Sequence, residues 1–421
     1  MPPSAEVTQL RAELASGGFA TTPDAQPISD ELFALGQALF FDKLLSGNMD
    51  VSCSTCHLPS FAGGDGRTLP SGVHGLNTGP ARSAGDIVPR HSPMILNAHL
   101  LETAFWDSRV EPLGGGTIRV PGGATLSPAM LAAFTPGLEI AAAQAMFPPT
   151  SRGEMRGQLG ENDVANLADA DFDGIWTTLT ARVTGFPAYQ VMLDDAYPGV
   201  LLADINFAHL ANAIAAFEHR GFARFDSPFE RFVAGDDAAL TTAQLDGALE
   251  FFGPGRCDRC HSGPTFTDND HHNIGMPQFG PGAGDGVSTL DDFGREQVTG
   301  NVNDRYRYRT PTLLNVELTG PYGMLGQYAD LQDFVQHYRN PSLSLNAWSL
   351  AANVPDPALA GTQLANQADV LARLAPQLNG PQGGFNAGAI VEFLRSLTAD
   401  SARDLSDLVP PTVPSGLPID G

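Results

Sequence analysis

Cysteine is scarce in this chain of 421 residues: there are four, at positions 53, 56, 257 and 260. All four fall inside two Cys-x-x-Cys-His motifs, so none is left for a structural disulfide framework. Their number alone therefore says nothing about redox compartment. Positive charge is also short, with 23 Lys and Arg against 47 Asp and Glu and a formal net charge of −24. That balance argues against a nucleic-acid partner, because phosphate binding needs a basic patch. An acidic surface serves solubility, and it equally suits the steering of a basic protein partner. Long apolar runs are missing too: no stretch reaches the roughly 18 apolar residues of a membrane helix, so no membrane span is expected. The first thirty residues lack a charged start followed by an apolar run. The expectation is a mature or trimmed chain, without its signal peptide and with Met1 added.

The length suits two domains better than one core. A hydrophobic share of 42% is that of a globular protein. With 46 Gly and 33 Pro, much of the chain should be loop between short helices. No strand-rich region stands out, so the expected fold is mainly α.

Two segments run in parallel. The first reads Gly36-Gln37-Ala38-Leu39-Phe40-Phe41, then Cys53-Ser54-Thr55-Cys56-His57, then Arg90 and Pro93-Met94-Ile95-Leu96-Asn97. The second reads Gly247-Ala248-Leu249-Glu250-Phe251-Phe252, then Cys257-Asp258-Arg259-Cys260-His261, then Arg309 and Pro311-Thr312-Leu313-Leu314-Asn315. The same order of helix, motif and Pro-x-x-Leu-Asn predicts two related, loop-rich domains of cytochrome c type, arisen by internal duplication. They divide at 1–224 and 225–421, with a C-terminal tail that packs back on the first. Thr241-Thr242-Ala243-Gln244 is a capping box before the second motif, with Leu245, Leu249 and Phe252 on one helix face. A further helix is predicted over 206–218, where Phe207, Leu210, Ile214 and Phe217 follow 3-4-3 spacing. Residues 221–228 read as a linker, and 280–286 and the tail from Val409 as loops.

The Cys-x-x-Cys-His pattern is that of covalent haem attachment. Two thiols three positions apart reach the two vinyl groups of one haem, and the adjacent His ligates its iron. Zinc wants four ligands in a closed tetrahedron, whereas one motif offers three and the two lie far apart in sequence. A thioredoxin-like redox pair does not predict the trailing His twice. Cys53, Cys56 and His57 are thus assigned to one haem c, and Cys257, Cys260 and His261 to a second.

With these motifs placed, the chain resembles the bacterial di-haem cytochrome c peroxidases and the related MauG enzymes, from about Ile28 to the closing Val413-Pro414-Ser415-Gly416-Leu417-Pro418. The resemblance implies a peroxidatic N-terminal haem and an electron-transferring C-terminal haem. It also implies a periplasmic or otherwise extracytoplasmic location, and it admits a homodimer. Phe105-Trp106-Asp107 matches the family's Phe-Trp-Asp, whose Trp lies between the haems; on its own it reads as a core Trp. Gln144, Pro148 and Glu154 match the peroxidatic pocket. A Glu held over the iron can move a proton between peroxide oxygens, and burial would raise its pKa to suit. By composition alone, Ser-Arg-Gly-Glu-Met reads as an exposed loop.

His74 corresponds to a His on the family's mobile loop, a candidate distal ligand of the N-terminal haem, and reads equally as a solvated side chain. Counted from Pro321, Tyr338 falls where peroxidases carry a Met ligand of the C-terminal haem and MauG-type proteins a Tyr. Asp330 is the expected N-cap of its helix, whose apolar face carries Leu331, Phe334, Val335 and Tyr338. A core Tyr is the alternative, and His337 a competing ligand. His91 stands where the family has an Asn that helps bind calcium between the domains. His is a poor calcium ligand, though carbonyls near Thr319 and Pro321 remain. Gly255 stands where MauG-type enzymes carry a Trp that draws electrons from a protein substrate. His271-His272-Asn273-Ile274-Gly275 is similar to a family segment and reads as structural or haem-contacting.

The activity implied is reduction of hydrogen peroxide to water, with electrons from a small cytochrome c or blue-copper protein. The alternatives are a MauG-like oxidation of residues in a partner protein through high-valent iron, and a di-haem electron carrier without catalysis.

Overall fold

The computed structural model describes residues 3–23, 26–380 and 382–421. The fold is mainly α, as the sequence predicts. Among the described residues, sheet is confined to two short antiparallel pairs, Glu111–Gly114 with Thr117–Arg119 and His271–His272 with Tyr308–Arg309. No described helix is long and apolar enough to cross a membrane.

Each half is built on one crossed pair of helices. In the first, Asp30–Phe41 packs on Phe207–Gly221; in the second, Thr242–Phe252 packs on Ala387–Ser396. Local sequence explains the ends. Ser29 caps the first helix, accepting from the Leu32 N–H, and Thr241 with Gln244 forms the reciprocal capping box. Both crossings are closed by glycine. A Cβ on Gly36 would lie 1.9 Å from the Ala213 carbonyl oxygen, and one on Gly247 would lie 2.0 Å from that of Ala389. The backbones touch there, which lets Phe217 and Phe393 pack beside the crossings.

The Pro-x-x-Leu-Asn segments also end alike. Asn97 and Asn315 both adopt left-handed backbone, and each side-chain oxygen accepts from a backbone N–H, that of Arg224 and of Ala399 respectively, at 2.8 Å.

Two hydrophobic cores result, and the chain ends are exchanged between them. Residues 32–222 make the first core together with Ala399, Ala402, Leu405, Leu408 and Val413 from the tail. Lys43 pairs with Asp420 at 3.0 Å, and the Thr55 hydroxyl donates to Asp420, so the tail reaches the first haem motif. Conversely, the Ala5–Ser16 helix puts Val7, Leu10 and Leu14 into the second core, not into the unit 1–224 to which sequence order assigns it. The segment 221–228 is anchored, not a loose linker: Phe222 is fully buried and the Asp226 carboxylate accepts from Ser401.

Gly36→Ala and Gly247→Ala should each destabilise the fold by about 3 kcal/mol or more, because backbone must move to admit the methyl group. Gly388→Ala, whose added Cβ has no neighbour closer than 3.5 Å, should be neutral or stabilising by about 0.5 kcal/mol. Denaturant titration of the three variants checks both values.

Candidate active site

Cys53–Cys56 forms a single helical turn opened by Ser52, whose N–H donates to the Thr55 hydroxyl at 2.9 Å. His57 follows, and its Nδ1–H donates to the Gly63 carbonyl at 2.8 Å. His261 repeats the device, donating from Nδ1 to the Phe266 carbonyl at 3.0 Å. A carbonyl can only accept, so each ring keeps its Nε2 lone pair for a metal. Burial lowers the pKa of both rings, keeping them neutral, as iron ligation requires.

The four thiols are unpaired and half-buried. Burial pushes Cys53 and Cys257 up to about 12. A redox or zinc thiolate needs the opposite shift. The two motifs also sit with separate cores, so they cannot share one zinc.

Cys257, Cys260 and His261 line a largely apolar cavity of about 240 Å³ together with Trp106 and Tyr338. Two further features fit a haem there. A Cβ on Gly255 would lie 3.2 Å from the Cys257 sulfur, so only glycine leaves the cradle open. Arg309, also on the wall, is buried with its Nε unpartnered, and burial lowers its pKa to about 10. Such a guanidinium calls for an anion, and a haem propionate supplies one.

Tyr338 caps the Leu331–His337 helix, which Asp330 opens by accepting from the Gln332 and Asp333 N–H groups. Its ring packs edge-on to Phe334, and burial raises the phenol pKa, with Cys260 and Cys257 adding to the shift. The neighbouring His337 is fully engaged elsewhere, with Nε2 donating to the Ile274 carbonyl at 2.7 Å and Nδ1 against Ser344 and Tyr328. His272 lines the cavity and bonds Asp268 at 2.8 Å. Cys260, Asp268 and His272 form the one group of three potential metal-binding side chains among the described residues, and it includes a haem-motif thiol. His271 instead reaches Ser108 at 2.7 Å.

Glu154 lies in a π-helical turn, Arg152–Arg156, a form that concentrates at functional sites. Two loops wedge this turn. The Gly47 N–H donates to the Met155 carbonyl at 2.7 Å, and the Val73 N–H to that of Gly153 at 3.1 Å. A Cβ on Gly72 would lie 1.9 Å from the Gly153 oxygen. Glu154 is half-buried, and burial raises its pKa against the pull of Arg109, Ser151 and Arg90. Its charge adds to the upward shift of the Cys56 thiol, behind burial and Asp65. Gln144 stands on the Glu139–Ala145 helix with no side-chain hydrogen bond among the described residues, and Pro148 opens the turn between it and Glu154.

His74 is exposed, on left-handed backbone, with Nε2 3.0 Å from Glu161, Nδ1 3.6 Å from Asp86 and its N–H donating to Asp50. These carboxylates raise its pKa against the opposing effect of burial.

A junction that no motif announced links the halves. Arg90 donates from Nε and Nη2 to Asp292 at 2.7 and 2.9 Å, and from Nη1 to Asp107 at 2.6 Å. Arg295 bridges back to Glu111 at 2.6 Å and to the Asp107 and Ser108 carbonyls. Trp106 sits inside this clamp, with its carbonyl accepting from the Arg309 N–H at 2.8 Å. The only signal in the sequence was the Arg90–Arg309 correspondence, which says nothing about partners from distant loops. Glu218 was also missed. It is half-buried, its charge adds to the raised pKa of Cys53, and burial pushes its own carboxyl up to about 8.

Two haem-attachment motifs, each with its histidine oriented by a backbone carbonyl and each set with its own core, define a di-haem c-type oxidoreductase. Comparison with known proteins agrees. The family description "Di-haem cytochrome c peroxidase" matches residues 30–238. The chain is 30% identical to cytochrome c551 peroxidase of Pseudomonas aeruginosa, over 76% of this chain and 74% of that one. It is 29% identical to the methylamine utilization protein MauG of Methylorubrum extorquens, over 80% and 78%. In fold it is similar to a MauG-like protein associated with microbial copper homeostasis, with a TM-score of 0.59, 24% identity and coverage of 93% and 96%. It is similar also to the dihaem peroxidase BthA of Burkholderia thailandensis, with a TM-score of 0.59, 20% identity and coverage of 94% and 92%. The chain belongs to the di-haem cytochrome c peroxidase family, a family of peroxidase-type oxidoreductases carrying two c-type haems.

Arg90→Ala should cost about 3–5 kcal/mol, because it strips the buried Asp292 carboxylate of its cation and leaves Asp107 with Arg109 alone. Asp107 is held well below its ordinary 3.8 against burial by Arg90 and Arg109. Its stabilisation is therefore full above about pH 4 and lost as pH falls through the depressed value. The stability gap between wild type and variant, measured by urea titration, should narrow below about pH 4.

Proposed function

We propose that this protein reduces hydrogen peroxide at the His57 haem, drawing electrons through the His261 haem from a small redox protein. The carrying observation is the inequality of the two halves: a half-buried carboxyl with raised pKa, Glu154, in the half that carries the first motif, and a phenol, Tyr338, in the cavity of the second. The balance is H2O2 + 2 H⁺ + 2 e⁻ → 2 H2O. Bound haem iron supplies the electrophilic centre and the route for the electrons. Glu154 takes the proton from the inner peroxide oxygen and returns it to the outer one, so that the O–O bond breaks with water as leaving group. Gln144 offers an amide to orient the peroxide, and Pro148 helps to keep bulk water out. Trp106 carries electrons between the haems.

Tyr338 and His261, which line one cavity, would both hold the iron of the second haem. His74 would be a further ligand of the first haem only after leaving its contacts with Glu161 and Asp86. Residues 1–224 then serve as the peroxidatic half and 225–421 as the electron-entry half. An extracytoplasmic location follows from c-type haem attachment. The strongly acidic surface suits a basic cytochrome c or blue-copper donor.

A second reading, oxidation of residues in a partner protein, is favoured by Tyr338, because a phenolate ligand stabilises oxidised iron. It is opposed by Gly255, where a Cβ would lie 2.8 Å from the Glu250 carbonyl oxygen and 3.1 Å from Ile390.

Glu154→Gln should lower peroxide turnover by about 10²–10⁴-fold at unchanged haem content, since an amide cannot shuttle the proton. The wild-type rate should fall with acid through an inflection above the ordinary carboxyl value of 4.5, and stopped-flow measurements should find that inflection gone in the variant. Tyr338→Met should raise the midpoint potential of one haem and leave the other in place. Two unchanged potentials in a spectroelectrochemical titration would remove Tyr338 from the ligand set.

A further inference from the structure

We infer that His91 holds, by hydrogen bonds alone, the junction where the family resemblance implies a calcium ion, and that it is a positioning residue for Trp106. Four bonds converge on it. Its Nδ1–H donates to the Arg67 carbonyl at 2.9 Å and to the Thr68 carbonyl at 3.2 Å. Its backbone N–H donates to the Met324 carbonyl at 2.9 Å, across to the second half. Its own carbonyl accepts the Trp106 indole N–H at 2.9 Å. One residue, 5% exposed, thus ties a loop of the first half to a loop of the second and fixes the indole between them. The packing leaves little slack: a Cβ on Gly326, two residues past Met324, would lie 2.8 Å from the Thr68 oxygen.

The donor set here does not fit calcium. His91 lines the same cavity as Thr319 and Pro321, whose carbonyls the resemblance offers as ligands. Calcium takes six to eight oxygens, usually including carboxylates. An imidazole brings no oxygen, and burial lowers the pKa of this one to about 4, so its Nδ1 keeps the proton that the two carbonyls accept without bringing charge. The buried carboxylates of the Arg90 junction already have cations: Asp292 pairs with Arg90, the residue before His91, and Asp107 with Arg90 and Arg109. A neutral N–H donor offers two carbonyl oxygens the bonds a cation would otherwise supply, without that charge.

The inference rests on the reading of Trp106 as the link between haems, and the experiment separates the two. The holoenzyme is treated with EGTA, analysed for bound calcium and titrated with calcium chloride in a calorimeter. No retained calcium, no stoichiometric heat and unchanged peroxide turnover are expected; one equivalent of bound calcium, or turnover lost to EGTA and restored by calcium, overturns the inference. Electron transfer from the reduced His261 haem to the peroxide-oxidised partner is then followed by flow spectroscopy in His91→Leu, His91→Gln and Trp106→Phe. His91→Leu, which keeps bulk without a donor, should slow transfer about tenfold or more at unchanged haem potentials, because small misplacements are costly. His91→Gln, which keeps an N–H donor, should restore most of the rate. If Trp106→Phe slows transfer and His91→Leu does not, only the role of His91 fails. If Trp106→Phe transfers at the wild-type rate, the reading of Trp106 fails and the positioning role falls with it.

Discussion

Arg90 holds a carboxylate from each half of the molecule at once, Asp107 from the loop carrying Trp106 and Asp292 from the loop facing it. All three side chains are buried or nearly so. A buried ion pair of this kind is a poor source of net stability, because desolvation offsets most of the attraction. Its effect is on geometry: the charges satisfy one another in a single relative placement of the halves. Trp106, bonded on one side to the His91 carbonyl and on the other to the Arg309 amide, takes its place from that arrangement.

The scaffold beneath the junction is simple by comparison. Two glycine-closed helix crossings set the cores, and each core presents a Cys-x-x-Cys-His motif whose His is oriented by one carbonyl. Repeating this device yields two haem sites of one kind. What makes them unequal is added from outside the crossings. The first half adds the Arg152–Arg156 turn, wedged by two glycine-containing loops, which carries Glu154. The short Leu331–His337 helix brings Tyr338 to the second. Exchange of the chain ends further couples the halves, since the tail reaches the first haem motif through Asp420 while the opening helix lies in the second core.

The sequence was most legible where spacing is local. The capping box at Thr241 and Gln244, the apolar face of the helix starting at Phe207 and the Asp330 cap all depend on residues three or four apart. It was least legible where contacts join distant segments. Nothing near Arg90 in sequence points to Asp292, 202 positions away. Nothing near Phe222 shows that an apparent linker is pinned in a core. His91 is the instructive intermediate: the sequence marked it as a departure from the family pattern, but not that its four hydrogen bonds join two halves.

By itself the sequence determined the cofactor chemistry, two thiols and a histidine given twice, because covalent haem attachment needs only a short, rigid spacing. It determined as well the mainly helical class and the glycines that its helix crossings require. The tertiary structure alone decided which buried groups share an environment: Tyr338 with Cys257 and Cys260, and His91 with Trp106 and Met324. Those pairings depend on desolvation and on bonds between loops far apart in the chain, and neither is written in any local pattern of residues.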